Sequence, residues 1–413
     1  MAESIDLVQT VSGKRASARR LKLLYFNAVD VSDVHIHGND RSPAALDPRS
    51  RLAVTLIYGR LPNYKMNGSH TSSSSWQQLK TKYKRSLWKS SRRLAVLLAN
   101  TYLRPLVNAW AKPEFLFAVY GNEQQVGAYF TPWMAKRLPP NVVLGFIRNG
   151  AMRGLLIAPQ FFEHELQNDT GKVRSYINQL QKDYPGIKRI ALVGRLPNFV
   201  KKAGMEIREP LVDGSLGTRY MIWDIARQMA ERPQYSQQKS IVVLGGAGRI
   251  GNAVCQDLAS QFGRVIGLDP RYQEDEEIKT PQGSILRTSN LDYLNDEKLF
   301  IALTHHGDAV LDFHQHIPAG SLIADDTHPC ISYQARAILK RHQISVEKVV
   351  LSHDDFMMRP RMPDWNSKDI PGCLVEALVL LQDGELADSE FAEFCREAES
   401  LGFSGRLIKP LDE

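Results

Sequence analysis

The chain has 413 residues, 43% apolar and 23% charged, with a net charge of +7. That balance fits a globular protein with two or three cored domains, and no apolar run is long enough to span a bilayer. Cys255, Cys330, Cys373 and Cys395 are too widely spaced for a zinc site or a disulfide framework, and Met1–Thr10 carries Glu3 and Asp6 without an apolar centre. Neither signal peptide nor oxidising compartment is indicated, so a cytoplasmic protein is expected.

Residues 1–111 read as an added N-terminal region with a strand over Leu52–Tyr58 and a polar, serine-rich stretch at Asn67–Ser75. Lys80–Arg93 is basic and interleaved with aromatics, among them Trp88, and Trp76 stands just before it; an apolar helix over Leu94–Trp110 follows. Such a basic run suits an acidic carrier protein, an anionic membrane surface contacted through 76–93, or simply a solvated helix face. Nucleic acid is not expected, because no recognised module accompanies it.

From Phe115 the pattern turns α/β. Strands are expected at Phe115–Tyr120, Val142–Ile147, Gly154–Ala158 and Arg189–Val193, with helices at Lys172–Lys182 and Thr218–Glu231. The pentapeptide Gly-Arg-Leu-Pro-Asn occurs at Gly59–Asn63 and again at Gly194–Asn198, each time after an apolar strand, which suits a duplicated strand–turn unit, coincidence or shared turn chemistry. The fold class is α/β: a Rossmann-type doubly wound parallel sheet beside a second α/β domain. The expected domains are 112–232 for substrate, 233–385 for dinucleotide, and a C-terminal helix in 386–413 packing back on the substrate domain.

Ile241–Gly251 carries the sharpest signal: a buried strand, a glycine turn and a helix start, with Gly246, Gly248 and Gly251 at G-x-G-x-x-G spacing. The first glycine permits the turn, the second lets a pyrophosphate approach, and the third packs helix on strand. Arg249 and Ile250 complete the loop. Asp269, closing the next strand, is placed to bond ribose hydroxyls and favours NAD(H), while Arg271 can meet a 2′-phosphate and keeps NADP(H) open. Thr304, with His305 and His306, follows the strand Leu299–Leu303 and belongs at the carboxyl edge of the sheet. Cys373 falls in the first turn of a helix opened by Pro371, where the helix dipole favours a thiolate nucleophile; a small buried helix residue is the plainer alternative.

Taken together, residues 115–407 resemble the long-chain fatty acyl-ACP reductases of cyanobacterial type. The resemblance rests on Gly245–Cys255 against that family's cofactor loop, and on Val212–Ile222 against its G-N-x-x-T-A-Y-I-I helix start. Pro371–Leu381 resembles its A-C-F-A-E-A-M-L-L, and Leu401-Gly-Phe403 its closing turn. The resemblance implies that Cys373 takes the acyl group from an acyl carrier protein or CoA thioester, and that NAD(P)H reduces it to an aldehyde. Glu376 falls on a family glutamate, and His353 is the candidate proton donor. Asp269 departs from the basic residue expected of an NADPH-preferring reductase, and residues 1–111 have no counterpart. The alternatives are an NAD-dependent dehydrogenase of amino-acid or shikimate type and a non-catalytic NAD-binding sensor. Oligomeric state leaves no mark in the sequence.

Overall fold

The computed structural model describes residues 89–362, 365–384, 386 and 390–409. The expectations for Leu52–Tyr58, the serine run, the first pentapeptide and most of Lys80–Arg93 lie outside the described residues. Helices α1 (described over 89–101) and α2 (Arg104–Ala111) open the described chain.

β1 (Phe115–Ala118) is wholly buried, which a strand flanked by parallel neighbours on both sides requires. It pairs in parallel with β3 (Met152–Pro159) and β4 (Arg189–Leu192), while β2 (Asn141–Asn149) runs antiparallel to β3. Between them α3 (Thr170–Asp183) buries Val173, Tyr176, Ile177 and Leu180, a spacing of three and four residues that lines one helical face. The Asp169 side chain caps it, accepting from the N–H groups of Gly171 and Lys172. After β4 come α4 (Leu196–Lys202), the short parallel β5 (Leu211–Val212) and the long α5 (Ser215–Glu231).

The second sheet contains β6 (Ser240–Leu244), β7 (Arg264–Leu268), β8 (Glu276–Lys279), β9 (Ser284–Thr288), β10 (Leu299–Ala302), β11 (Leu322–Asp325) and β12 (Ser345–Ser352). Helix α6 (Arg249–Leu258) links β6 to β7, and α7 (Tyr333–Arg341) links β11 to β12. The order β9-β7-β6-β10-β11-β12, all parallel, is the Rossmann order 3-2-1-4-5-6. The chain reverses its direction of travel across the sheet between β6 and β10, and there the carboxyl ends open a crevice.

The domains are not consecutive segments, as the sequence had suggested. β13 (Phe356–Arg359) leaves the Rossmann sheet and pairs antiparallel with β2 in the first sheet. The helix α8 (Gly372–Gln382) packs on α5 and on β4, and α9 (Phe391–Ser400) packs on α5 and α8. The last strand, β14 (Ser404–Ile408), pairs antiparallel with β12 and so extends the second sheet, not the substrate side. The physical reason is strand pairing: β2 and β12 would each present an unpaired edge without these additions. One continuous core joins both sheets through Tyr220 and Ile225 of α5 and Leu374 and Leu378 of α8. Tyr220 donates its hydroxyl to the Phe403 carbonyl at 2.6 Å, and the Gly405 N–H donates to Asp224 at 2.6 Å, which ties the C-terminal strand to α5.

Candidate active site

The glycine loop is shaped by contacts that exclude side chains. A Cβ on Gly246 would sit 2.7 Å from Gly267 Cα, and one on Gly251 only 2.2 Å from the Gly245 carbonyl oxygen. Gly248 is less confined: a Cβ there would lie 3.1 Å from the Gly245 carbonyl oxygen and 3.9 Å from both the Arg271 guanidinium and the Gly251 nitrogen. Gly248 is also the residue preceding α6, and no side chain caps that helix. Its first-turn N–H groups have no side-chain cap, and beside a Gly248 without a side chain they fit a pyrophosphate.

Asp269 and Arg271 form one unit. The Asp269 carboxylate accepts from Arg271 Nε and Nη2, each at 2.9 Å, from the Arg271 backbone N–H at 3.1 Å and from the Ala247 N–H at 3.2 Å. Burial works to raise this carboxyl, but the Arg271 and Ala247 donors outweigh it and hold it below its usual value. Four accepted bonds saturate a carboxylate. The ribose-binding role read from sequence therefore requires Arg271 to move, and the negative charge expected to repel a 2′-phosphate is already neutralised.

Opposite the loop stands Cys373, one residue inside α8. The N-terminal turns of α5 and α8 meet through glycines. A Cβ on Gly214 (φ +75°) would lie 2.4 Å from Cys373 Cβ, and one on Gly217 would lie 2.2 Å from the Gly372 carbonyl. Glu376, one turn further along α8, accepts from the N–H groups of Leu216 and Gly217 at 2.5 and 3.2 Å, capping α5 from the neighbouring helix. Burial and the Asp213 charge push its carboxyl up to about 7. The same enclosure governs Cys373. Burial pushes its thiol up to about 12, helped by the charges of Asp326 and Glu376, against the opposing hydrogen bonds from the Gly194 and Cys373 N–H groups. The dipole argument from sequence is thus outweighed, and the resting cysteine is a neutral thiol.

Gly194, Asp213, Arg249, Ile250, Leu303, Asp326, His328, Trp365 and Cys373 line one cleft of about 160 Å³ at the crevice between β6 and β10. The cofactor loop and Cys373 are therefore brought together. Arg249 Nη1 spans the cleft floor to Asp213 at 2.9 Å. His328 and Asp326, which the sequence reading passed over, follow directly on β11. His328 faces the open cleft against Trp365, with ring centroids 6.3 Å apart, and Lys348 Nζ lies 3.7 Å from the Trp365 ring centre. Desolvation in the cleft and the Lys348 charge work to lower the His328 imidazole from its ordinary value, while its exposure to solvent limits the effect. Burial and the Asp325 charge push the Asp326 carboxyl up to about 8. The rule applied to Thr304, residues at the carboxyl end of a parallel strand, would have found both.

Other expected residues lie elsewhere. Thr304 donates its hydroxyl to the His306 carbonyl at 2.7 Å, and Leu303 reaches the cleft in its place. His353 lines a different hollow with Asn149, Met152 and Phe403; its Nε2 bonds the Leu401 carbonyl at 3.0 Å and its Nδ1 accepts from the Asp355 N–H at 3.1 Å. The structure does not bring it together with Cys373. Cys255 is core, its sulfur packed against Gly267.

Residues 241–330 match the model of the NAD dependent epimerase/dehydratase family. No curated protein sequence matches the chain. Among solved structures, L-tryptophan dehydrogenase from Nostoc punctiforme is similar over 70% of this chain and 79% of its own, at 11% identity and a TM-score of 0.36. NAD+-bound 3-phosphoglycerate dehydrogenase from Entamoeba histolytica covers 57% and 80%, at 9% identity and a TM-score of 0.27. A shikimate dehydrogenase in complex with NADP+ covers 58% and 85%, at 12% identity and a TM-score of 0.30. Strand order, glycine loop and family model agree that residues 241–330 carry an NAD(P)-binding fold.

Proposed function

We propose that the protein reduces an acyl thioester to an aldehyde through an acyl group carried on Cys373. The observation that carries this reading is the placement of a cysteine across one cleft from the cofactor loop, with backbone N–H groups of Gly194 and Cys373 converging on its sulfur. Those donors stabilise a sulfur as it becomes negative. Because the thiol rests neutral, its proton leaves as the sulfur–carbon bond forms, and His328, in the same cleft, is the group assigned to take it. His328 then returns that proton to the departing carrier thiolate. A bound nicotinamide supplies the hydride that converts the acyl carbon to aldehyde. Cys373 leaves as a thiolate and is reprotonated from solvent, which its high proton affinity favours. Arg249, bridged to Asp213, fixes the start of α6 beneath the cleft.

The test is intact mass after incubation with long-chain acyl-CoA or an acyl carrier thioester without cofactor. An adduct of the acyl mass is expected, absent in Cys373→Ala and discharged as aldehyde on adding NADH or NADPH. No adduct from either carrier, with cofactor binding intact, refutes it. The neutral thiol also suits a second reading, a dehydrogenase in which Cys373 only packs and His328 accepts a proton from a substrate hydroxyl; that enzyme forms no adduct.

A further inference from the structure

The pentapeptide Gly194–Asn198 makes the turn from β4 into α4, and a tyrosine at the end of the neighbouring strand holds that turn. β1 and β4 run in parallel with Ala118 opposite Leu192, and the Val193 N–H donates to the Ala118 carbonyl at 3.1 Å. Two residues beyond each strand, Tyr120 and Gly194 therefore emerge side by side at the carboxyl edge of the sheet. The Arg195 N–H donates to the Tyr120 hydroxyl oxygen at 2.9 Å. Gly194 takes φ +52°, a left-handed conformation that glycine adopts without strain, and a Cβ there would stand 3.3 Å from the Tyr120 hydroxyl. Leu196 and Pro197 then open α4, with the proline in the first turn, where no N–H is needed. The Tyr120 ring is itself fixed, meeting the buried Phe199 of α4 edge-on with centroids 5.6 Å apart.

Successive N–H groups of this turn have separate tasks. That of Arg195 goes to Tyr120, and that of Gly194 goes to the Cys373 sulfur. Gly194 lines the cleft with Cys373, and Cys373 is gripped on its other side by the close approach of Gly214. A donor stabilises developing charge best when it is already in place and need not reorient. The rest of the turn gives little hold: Gly194 and Arg195 are exposed, and the Arg195 guanidinium lies 3.7 Å from Glu163 in a solvated pair of small worth. Burial keeps the Tyr120 phenol protonated, so its oxygen acts as a neutral acceptor. We infer that Tyr120 is a positioning residue for Cys373: its hydroxyl oxygen holds the Arg195 N–H and so fixes the turn from which the Gly194 N–H meets the sulfur. The inference takes its function from the Cys373 reading above, but the contact it describes needs no substrate.

The experiment compares the rate at which iodoacetamide alkylates Cys373 in the full-length wild type and in Tyr120→Phe, followed peptide by peptide at about pH 9. Phenylalanine keeps the ring against Phe199 and removes only the oxygen, and water can take the freed N–H of the exposed Arg195. With the Gly194 N–H no longer held, the thiolate is less favoured and the rate should fall about threefold or more. The bulkier N-phenylmaleimide should slow by a similar factor, because both reagents attack the thiolate. Phe199→Leu loosens the ring but keeps the oxygen, so it should lower the melting temperature and leave the rate within about twofold of the wild type. An unchanged or faster rate in Tyr120→Phe, a fall confined to the bulkier reagent, or an equal fall in Phe199→Leu overturns the inference. If no acyl adduct forms on Cys373 while Tyr120→Phe still slows alkylation, the positioning stands and the thioester reading falls. An adduct with unchanged alkylation does the reverse.

Discussion

Replacing Glu376 by Gln tests how the two helix starts are held together. Glu376 is under opposed influences. Burial and Asp213 favour its neutral form, while the Leu216 and Gly217 N–H groups and Arg249 favour the carboxylate. The balance lies toward neutral, from the ordinary 4.5 up to about 7. Between those values the folded protein holds a proton that the unfolded chain has released. The stabilisation is therefore complete below about pH 4.5 and is lost as pH rises through 7. A shift of this size corresponds to about 3 kcal/mol. Glutamine keeps an acceptor for both N–H groups and never ionises. The stability of the wild type relative to Glu376→Gln should consequently fall by as much as about 3 kcal/mol between acid and pH 8. Urea denaturation of both proteins across that range measures it, and the comparison cancels other titrating groups such as Asp326. A difference that stays constant with pH refutes the reasoning. A wild type that gains on the variant as pH rises would do so more directly, because it would make the ionised helix cap the favoured state.

Releasing Asp269 should shift cofactor selectivity toward NADH. Arg271→Ala is expected to weaken NADPH binding at least tenfold, about 1.4 kcal/mol, and to tighten NADH binding, both read as dissociation constants by fluorescence; unchanged selectivity would remove Arg271 from cofactor recognition. Gly217→Ala gains helix propensity of about 1 kcal/mol, yet its Cβ meets the Gly372 carbonyl at 2.2 Å and the Glu376 nitrogen at 2.6 Å. A net loss of about 1–3 kcal/mol should follow, seen as a lower melting temperature, whereas Gly186→Ala, with nothing within 4 Å, should be tolerated. Alkylation of Cys373 by iodoacetamide, followed peptide by peptide, should keep accelerating beyond the pH at which a free cysteine levels off, since the thiol is pushed up to about 12. A plateau near pH 8 would mean the helix dipole governs the sulfur after all.

Local patterns were legible because local physics makes them. Val242–Leu244 and Val265–Leu268 are apolar because parallel strands are covered on both faces, and Val173, Tyr176, Ile177 and Leu180 recur at helical spacing because one face is buried. The glycine loop was legible for the same reason: Gly246 and Gly251 are forced by contacts within ten residues of the loop or on the adjacent strand. β13 and β14 escaped notice because nothing in Phe356–Arg359 or Ser404–Ile408 records which distant edge each will pair with. β8 is similar: three of its four side chains are exposed, so no periodicity marks it.

The site divides along the same line. The position of Cys373 at a helix start is a sequence fact, but the proton affinity of its sulfur is not. That depends on Gly214, Gly194, Asp326 and Glu376, which come from four separate stretches of chain and meet only once both sheets are assembled. Asp269 teaches the converse. Its partner is two residues away in sequence, yet whether Arg271 turns toward the carboxylate or outward toward a phosphate is a side-chain choice that spacing cannot express. The structure has it turned inward, supplying three of the four bonds that Asp269 accepts through two of its five guanidinium N–H donors and its backbone N–H. Three guanidinium N–H groups remain, and Nη2 lies 3.9 Å from where a Gly248 Cβ would stand. Whether those donors seat a 2′-phosphate is what Arg271→Ala tests, because the same residue both neutralises the acid and keeps donors to offer.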